Sequence, residues 1–222
     1  MSKGIFLASV LCIFFANVVF AKQKFTLTKS SKIYDVEIEV ATCEDETCSG
    51  IGTVKLFSKK TKEGIQEFVS PDLYFNLDKA KQPSAIMEIY DEESPLVFGD
   101  FNFDGTEDLA IRNGNNSGYG GPSYDVYVYH TTKKKFVVSQ SLTELASSNL
   151  GLFDIDKKRQ RIITYSKSGC CWHCTIEYSV VPKKDLVKVY EFIEDASRGD
   201  DFVYVSEKKL LNGKWKKQAK LL

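Results

Sequence analysis

The chain has 222 residues, 30 of them basic and 30 acidic, so its formal net charge is zero. That balance excludes the overall basic excess that draws a protein to nucleic acid or to an anionic membrane. The length suits a single domain once an N-terminal targeting segment is set aside.

That segment comes first in the chain. Lys3 supplies a positive start, Ile5 to Ala16 is almost unbroken apolar sequence, and Val19-Phe20-Ala21 offers small or apolar residues for cleavage. Residues 1–21 therefore read as a signal peptide, and loss of Lys3 leaves the mature chain from Lys22 with a net charge of −1. The apolar stretch is short for a membrane span. Cys12 follows Leu11 and lies inside the apolar run, which does not suit a lipid-attachment cysteine. Export places the remaining residues, 22–222, in an oxidising compartment where disulfides persist.

The exported part reads as β throughout. Ile33 to Val40 alternates apolar Val36, Ile38 and Val40 with acidic Asp35, Glu37 and Glu39. Cys43 and Cys48 enclose the polar turn Glu44-Asp45-Glu46-Thr47 between two strand-like runs, which favours a local disulfide. Further strands are expected at Tyr124 to Tyr129, Arg161 to Tyr165, Thr175 to Val181, Leu186 to Ile193 and Phe202 to Val205. Asn113-Gly114, Gly120-Gly121-Pro122 and Asn212-Gly213 mark turns. Only Leu142 to Ser147 suggests a short helical turn. Lys133-Lys134-Lys135, Lys183-Lys184 and Lys208-Lys209 read as solvated turns and edge guards. With no βαβ alternation, an all-β sandwich, barrel or propeller is expected.

Asp100-Phe101-Asn102-Phe103-Asp104-Gly105-Thr106-Glu107-Asp108 places oxygen donors at alternate positions with a glycine at the tight turn. Asp100, Asn102, Asp104 and Asp108 offer side-chain oxygen and Thr106 its main-chain carbonyl, a donor set suited to Ca²⁺. A true EF-hand would place a bidentate glutamate where Ile111 stands, so a structural ion is expected, not a switch. The pattern has an echo. Asp154-x-Asp156 repeats Asp100-x-Asn102, with Lys158 in place of Asp104 and Ile162 in place of Asp108. Ser168-Gly169 likewise precedes Tyr178 by the spacing with which Ser117-Gly118 precedes Tyr127. The two pairs of copies lie 54 and 51 residues apart (154 against 100, 168 against 117), about the length of one four-stranded blade.

Asn113 to Tyr124 is a glycine-rich loop with two tyrosines, either a connector or a recognition loop. Cys171-Trp172-His173-Cys174 matches the C-x-x-C of thiol oxidoreductases, but a strand-like run follows where that chemistry wants a helix N-terminus. A disulfide with a leftover thiol is expected among Cys170, Cys171 and Cys174, the pairing left open. Arg198-Gly199-Asp200 reads as a chance triplet. The chain has two histidines, His130 and His173, and no nucleophile-elbow, zinc-protease or phosphate-loop motif. An enzyme is not expected, with a paired-carboxylate glycosidase the remaining catalytic alternative.

Three stretches carry a resemblance: Phe98 to Ala110, Ser117 to Tyr127, and Ser168 to His173. The first resembles the calcium loops of FG-GAP propeller repeats. Together they resemble a family of Gram-negative periplasmic β-propeller proteins, typified by the immunity protein that inhibits lysozyme-like effectors of type IV secretion. The resemblance implies an all-β propeller of five small blades with one calcium loop. It also implies a non-enzymatic periplasmic inhibitor whose protein partner is a lysozyme-like cell-wall hydrolase. By analogy with inhibitors that insert a Ser-Gly loop with a nearby tyrosine into a hydrolase cleft, Ser117, Gly118 and Tyr119 become contact candidates, and the recognition-loop reading adds Tyr124. The alternative is a calcium-stabilised envelope module, periplasmic or secreted, that binds protein or glycan without inhibiting.

Overall fold

The computed structural model describes residues 22–27, 29–77, 94–181, 185–199 and 201–222, and the expected signal peptide lies outside them. Alternation of apolar and polar residues dictates strands, and the described residues form three antiparallel sheets with one helix. The all-β reading is thus observed.

The first sheet runs β1 (Gln23–Leu27), β2 (Tyr34–Glu44), β3 (Thr47–Ser58) and β4 (Gly64–Ser70) side by side, with β5 (Phe75–Asn76) also pairing with β3. The alternation read in sequence is realised in β2, where Tyr34, Val36, Ile38 and Val40 are buried and the acids between them are not. Lys24 and Lys55 pair with those acids on the outer face. Cys43 faces Cys48 across the β2–β3 turn and the two form the expected disulfide.

The second sheet is a four-stranded meander of β6 (Leu96–Gly99), β7 (Asp108–Arg112), β8 (Tyr124–His130) and β9 (Lys135–Val138). Helix α1 follows it at Gln140–Ser148, longer than the expected turn and fixed by burial of Leu142 and Ala146 one turn apart. The third sheet is a six-stranded meander: β10 (Asp154–Asp156), β11 (Arg161–Ser168), β12 (Trp172–Val181), β13 (Asp185–Asp195), β14 (Tyr204–Leu211) and β15 (Lys214–Leu221).

Two apolar clusters hold these sheets. One joins the first sheet to the second through Tyr34, Phe68 and Phe136, which pack edge to face at 5.6 and 6.0 Å. The other gathers Phe101, Tyr124, Val126, Leu142, Phe153 and Ile162 between second sheet, helix and third sheet. Lys133 and Lys134 lie at the β8–β9 turn as expected, whereas Lys208 and Lys209 lie within β14, ahead of the Asn212-Gly213 turn. Lys183, Lys184 and Asp200 fall outside the described residues.

Candidate functional site

The loop between β6 and β7 is organised by its own acids. The Asp104 amide donates to Asp100 Oδ1 and to Asn102 Oδ1, both at 3.0 Å, and the Gly105 amide donates to Asp100 Oδ2 at 3.0 Å. The Thr106 amide and hydroxyl donate to Asp104 Oδ1 at 2.8 and 2.6 Å. Oxygens of Asp100, Asn102 and Asp104 therefore surround one tight turn. Gly105 sits at its apex with φ +85°, a conformation other side chains rarely adopt. Burial opposes ionisation of Asp104, but the Thr106 hydroxyl and amide and the Asn102 side chain outweigh it and hold the carboxyl below its usual value.

Asp108 is different in kind. It is fully buried, and both carboxylate oxygens accept main-chain hydrogen bonds, Oδ2 from Phe101 at 2.8 Å and Oδ1 from Tyr129 at 2.9 Å. It staples the loop entrance to β8. Burial pushes its carboxyl up to about 6 despite those donors. Among the described residues no three His, Cys, Asp or Glu side chains gather as a metal cluster. The candidate cation set consists of Asp100, Asp104 and the neutral Asn102 around the turn, with Thr106 beside them and Asp108 beneath. Oxygen donors only, in a loop already turned, fit the chemistry of a hard cation.

The echo at Asp154 lies at the β10–β11 hairpin with Asp154 and Asp156 inside β10 itself, and it lacks that chemistry. Arg159 donates its amide to Asp156 Oδ1 at 2.9 Å and its guanidinium to Asp156 and Glu177. Ile162, opposite number of Asp108, is fully buried in apolar surroundings. A core position that accepts isoleucine in one copy carries a carboxylate in the other, which ties the Asp108 charge to its loop.

The two Ser-Gly segments meet in space. Gly118 to Gly120 form a single 3₁₀ turn in which Tyr119 takes φ 60° and ψ 27°, the left-handed region. The Gly118 amide donates to the Asn149 carbonyl at 2.7 Å, and a side chain at Gly118 would meet that oxygen at 2.9 Å. Only glycine permits this approach. The Gly169 amide donates to the Tyr119 hydroxyl, and Lys167 lies 4.5 Å from the ring centroid. Tyr119 is 64% exposed. Beside it, Cys170 and Cys171 form a disulfide between neighbours, and the Cys171 carbonyl accepts from the Ala196 amide at 2.8 Å. Cys174 is the free thiol, buried on β12.

The contact candidates separate accordingly. Tyr119 is displayed, and Gly118 sets its turn. Ser117 is buried, its hydroxyl without a hydrogen-bond partner among the described residues. Tyr124 is 1% exposed in the second apolar cluster, so its expected contact role is corrected to a core role: the β8 pleat turns its ring inward. Sequence reading left out Lys167 and Gly169 as site residues. Their signal was the repeated Ser-Gly spacing, which brings two like turns together.

Neither protein-family profiles nor the curated proteins give a match to this chain. Among solved structures, a Xanthomonas type IV secretion system related protein is similar, with a TM-score of 0.66 and 21% identity. The likeness covers 92% of this chain and 98% of that one. At such identity it establishes a shared fold.

Proposed function

We propose that this chain is an exported, non-enzymatic inhibitor that blocks a lysozyme-like peptidoglycan hydrolase, acting as an immunity protein in the periplasm. The observation that carries the reading is Tyr119. A large side chain is held exposed in a backbone region that costs a non-glycine residue roughly 1–2 kcal/mol, between two glycines and pinned through its hydroxyl to a second turn. Strain kept at an exposed aromatic points to recognition, and a rigid tyrosine offers broad contact at low entropic cost. A fold shared with a type IV secretion related protein supports the setting.

In this reading the meander sheets are blades of a propeller, and calcium bound by Asp100, Asn102, Asp104 and Thr106, with Asp108 beneath them, stiffens the second blade. The ion would supply charge neutralisation for the acids at the turn. The Asp108 staple passes that order to β8, whose first residues follow the Tyr119 turn.

The test is titration of purified residues 22–222 into lysozyme-type hydrolases from several families, with peptidoglycan turnover as readout. Suppression at near-stoichiometric ratio is expected for at least one. No suppression in any of them leaves the second reading, a calcium-stabilised envelope binding module.

A further inference from the structure

The neutral overall charge conceals a local excess. Lys208 to Leu222 holds six lysines and no acid. These residues build the β14–β15 hairpin, and every residue of the edge strand β15 is exposed. The register sets Lys209 opposite Lys216 and Lys208 opposite Lys217, two adjacent rungs of like charge. Such rungs destabilise a hairpin. Glu191 and Glu207 offset Lys208 and Lys209. Lys214, Lys216 and Lys217 have no ion-pair partner among the described residues.

Edge lysines alone would be explained as guards against strand pairing. The tip argues for more. Asn212 and Gly213, both at positive φ, turn the chain between Leu210-Leu211 and Lys214-Trp215. Leu211 and Trp215 are 47% and 46% exposed. A guard needs no exposed tryptophan, and a purely acidic protein partner would need no apolar tip. Tryptophan and leucine among lysines suit the boundary of an anionic bilayer, where rings and stems enter the headgroup zone and ammonium groups meet phosphates.

We propose that the β14–β15 hairpin docks this protein on an anionic lipid surface, tip first, with Trp215 and Leu211 entering the headgroup region and Lys214, Lys216 and Lys217 meeting lipid phosphates. The inference is independent of the inhibitor reading, but the geometry serves it. Across the third sheet, Trp172 aligns with Asp195, Asp195 with Tyr204, and Tyr204 with Leu221. The Tyr119–Gly169 contact therefore lies at the end of the sheet away from the tip. The seven steps along the eight residues Tyr204–Leu211 separate the two by roughly 23 Å at the usual rise. Docking leaves Tyr119 at the end of the sheet away from the membrane.

The experiment uses residues 22–222 with Trp172→Phe, so that Trp215 is the one indole reporter. Vesicles are phosphatidylcholine alone or mixed with phosphatidylglycerol. Sedimentation should show binding to the mixed vesicles only, lost at high salt, with a blue shift of Trp215 emission. Each lysine near an anionic surface contributes about fivefold to partition, so Lys216→Gln with Lys217→Gln should lower it roughly 25-fold. The charge-matched pair Lys133→Gln with Lys134→Gln, on the β8–β9 turn, should change it little. Equal binding to neutral vesicles, an equal loss in the control pair, or unshifted Trp215 emission overturns the proposal. So does tighter binding to poly-glutamate than to mixed vesicles, which would assign the hairpin to an acidic macromolecule. Hydrolase titration in lipid-free solution tests the inhibitor reading separately.

Discussion

The Tyr119 hydroxyl accepts a hydrogen bond from the Gly169 amide, joining two turns fifty residues apart in the chain. Each turn follows a Ser-Gly pair, so the contact links the two copies of a repeat. Replacing Tyr119 with glycine removes the contact, the cation–π partner of Lys167 and the left-handed strain together. These terms are each about 1 kcal/mol and oppose one another. Tyr119→Gly should therefore melt within a few degrees of the parent yet lose inhibition at least tenfold. A clear drop in melting temperature with inhibition intact would mean the tyrosine is structural.

Gly118→Ala tests the same turn from below. Its new methyl would lie 2.9 Å from the Asn149 carbonyl oxygen, and backbone on both sides must yield. A loss of about 1–3 kcal/mol is expected, with the indole and tyrosine near-ultraviolet signal altered. An unchanged melting curve would show that the turn shifts freely and does not position Tyr119.

The cation loop separates by variant. In chelator Asp104→Asn should cost little, because its one remaining oxygen can still accept from Thr106, and Asp100→Asn should cost at most about 1 kcal/mol, because the amide left without its acceptor lies at an exposed turn that water reaches. In calcium at a hundred times the dissociation constant, the parent should gain about 2.7 kcal/mol, and these variants should not. Asp108→Asn turns an amide toward a main-chain donor in a buried site and should cost about 1–3 kcal/mol with or without the ion. Identical melting of the parent in calcium and chelator would remove the ion from the account.

Glu191 sets the acid limb of the stability curve. Burial works against its charge, but Lys188 and Lys208 both hydrogen-bond to it and hold its carboxyl below the usual value. A carboxyl depressed in the folded state contributes stability above its unfolded value near 4.5, and that contribution fades as pH falls through the folded value. Glu191→Gln should destabilise by about 1–2 kcal/mol at neutral pH and flatten the fall below pH 4.5. Urea melts at stepped pH would read both.

Cys174 is buried, and burial raises its thiol above the usual value, so little reactive thiolate forms. A thiol reagent should leave folded residues 22–222 unlabelled and modify one thiol per molecule after unfolding. Rapid labelling of native protein would show that the β12 strand opens.

The β elements were legible because alternation is local. Val36, Ile38 and Val40 announce their buried face in sequence. The β14–β15 hairpin was only half legible: Asn212-Gly213 gave the turn, but a lysine-rich strand has no alternation to read, since both faces are solvated. At the site, the oxygen donors at alternate positions were visible, but the fate of Asp108 was not. Nothing in spacing distinguishes a carboxylate that faces the turn from one that faces the amides of Phe101 and Tyr129. Tyr124 was misassigned for the same reason, since loop composition does not reveal which tyrosine opens a buried strand.

Both disulfides span little chain, one of separation five and one of separation one. Neither ties one sheet to another, so oxidation records nothing about how the sheets are arranged. A chain that folds after crossing a membrane can thus oxidise each pair as its turn forms, with no long-range partner to find. The fifth cysteine of the exported part, Cys174, is withdrawn into β12 once the sheet closes. Cross-linking here finishes local turns, and the arrangement of the sheets is left to the packing of Tyr34, Phe68, Phe101, Phe136 and Phe153.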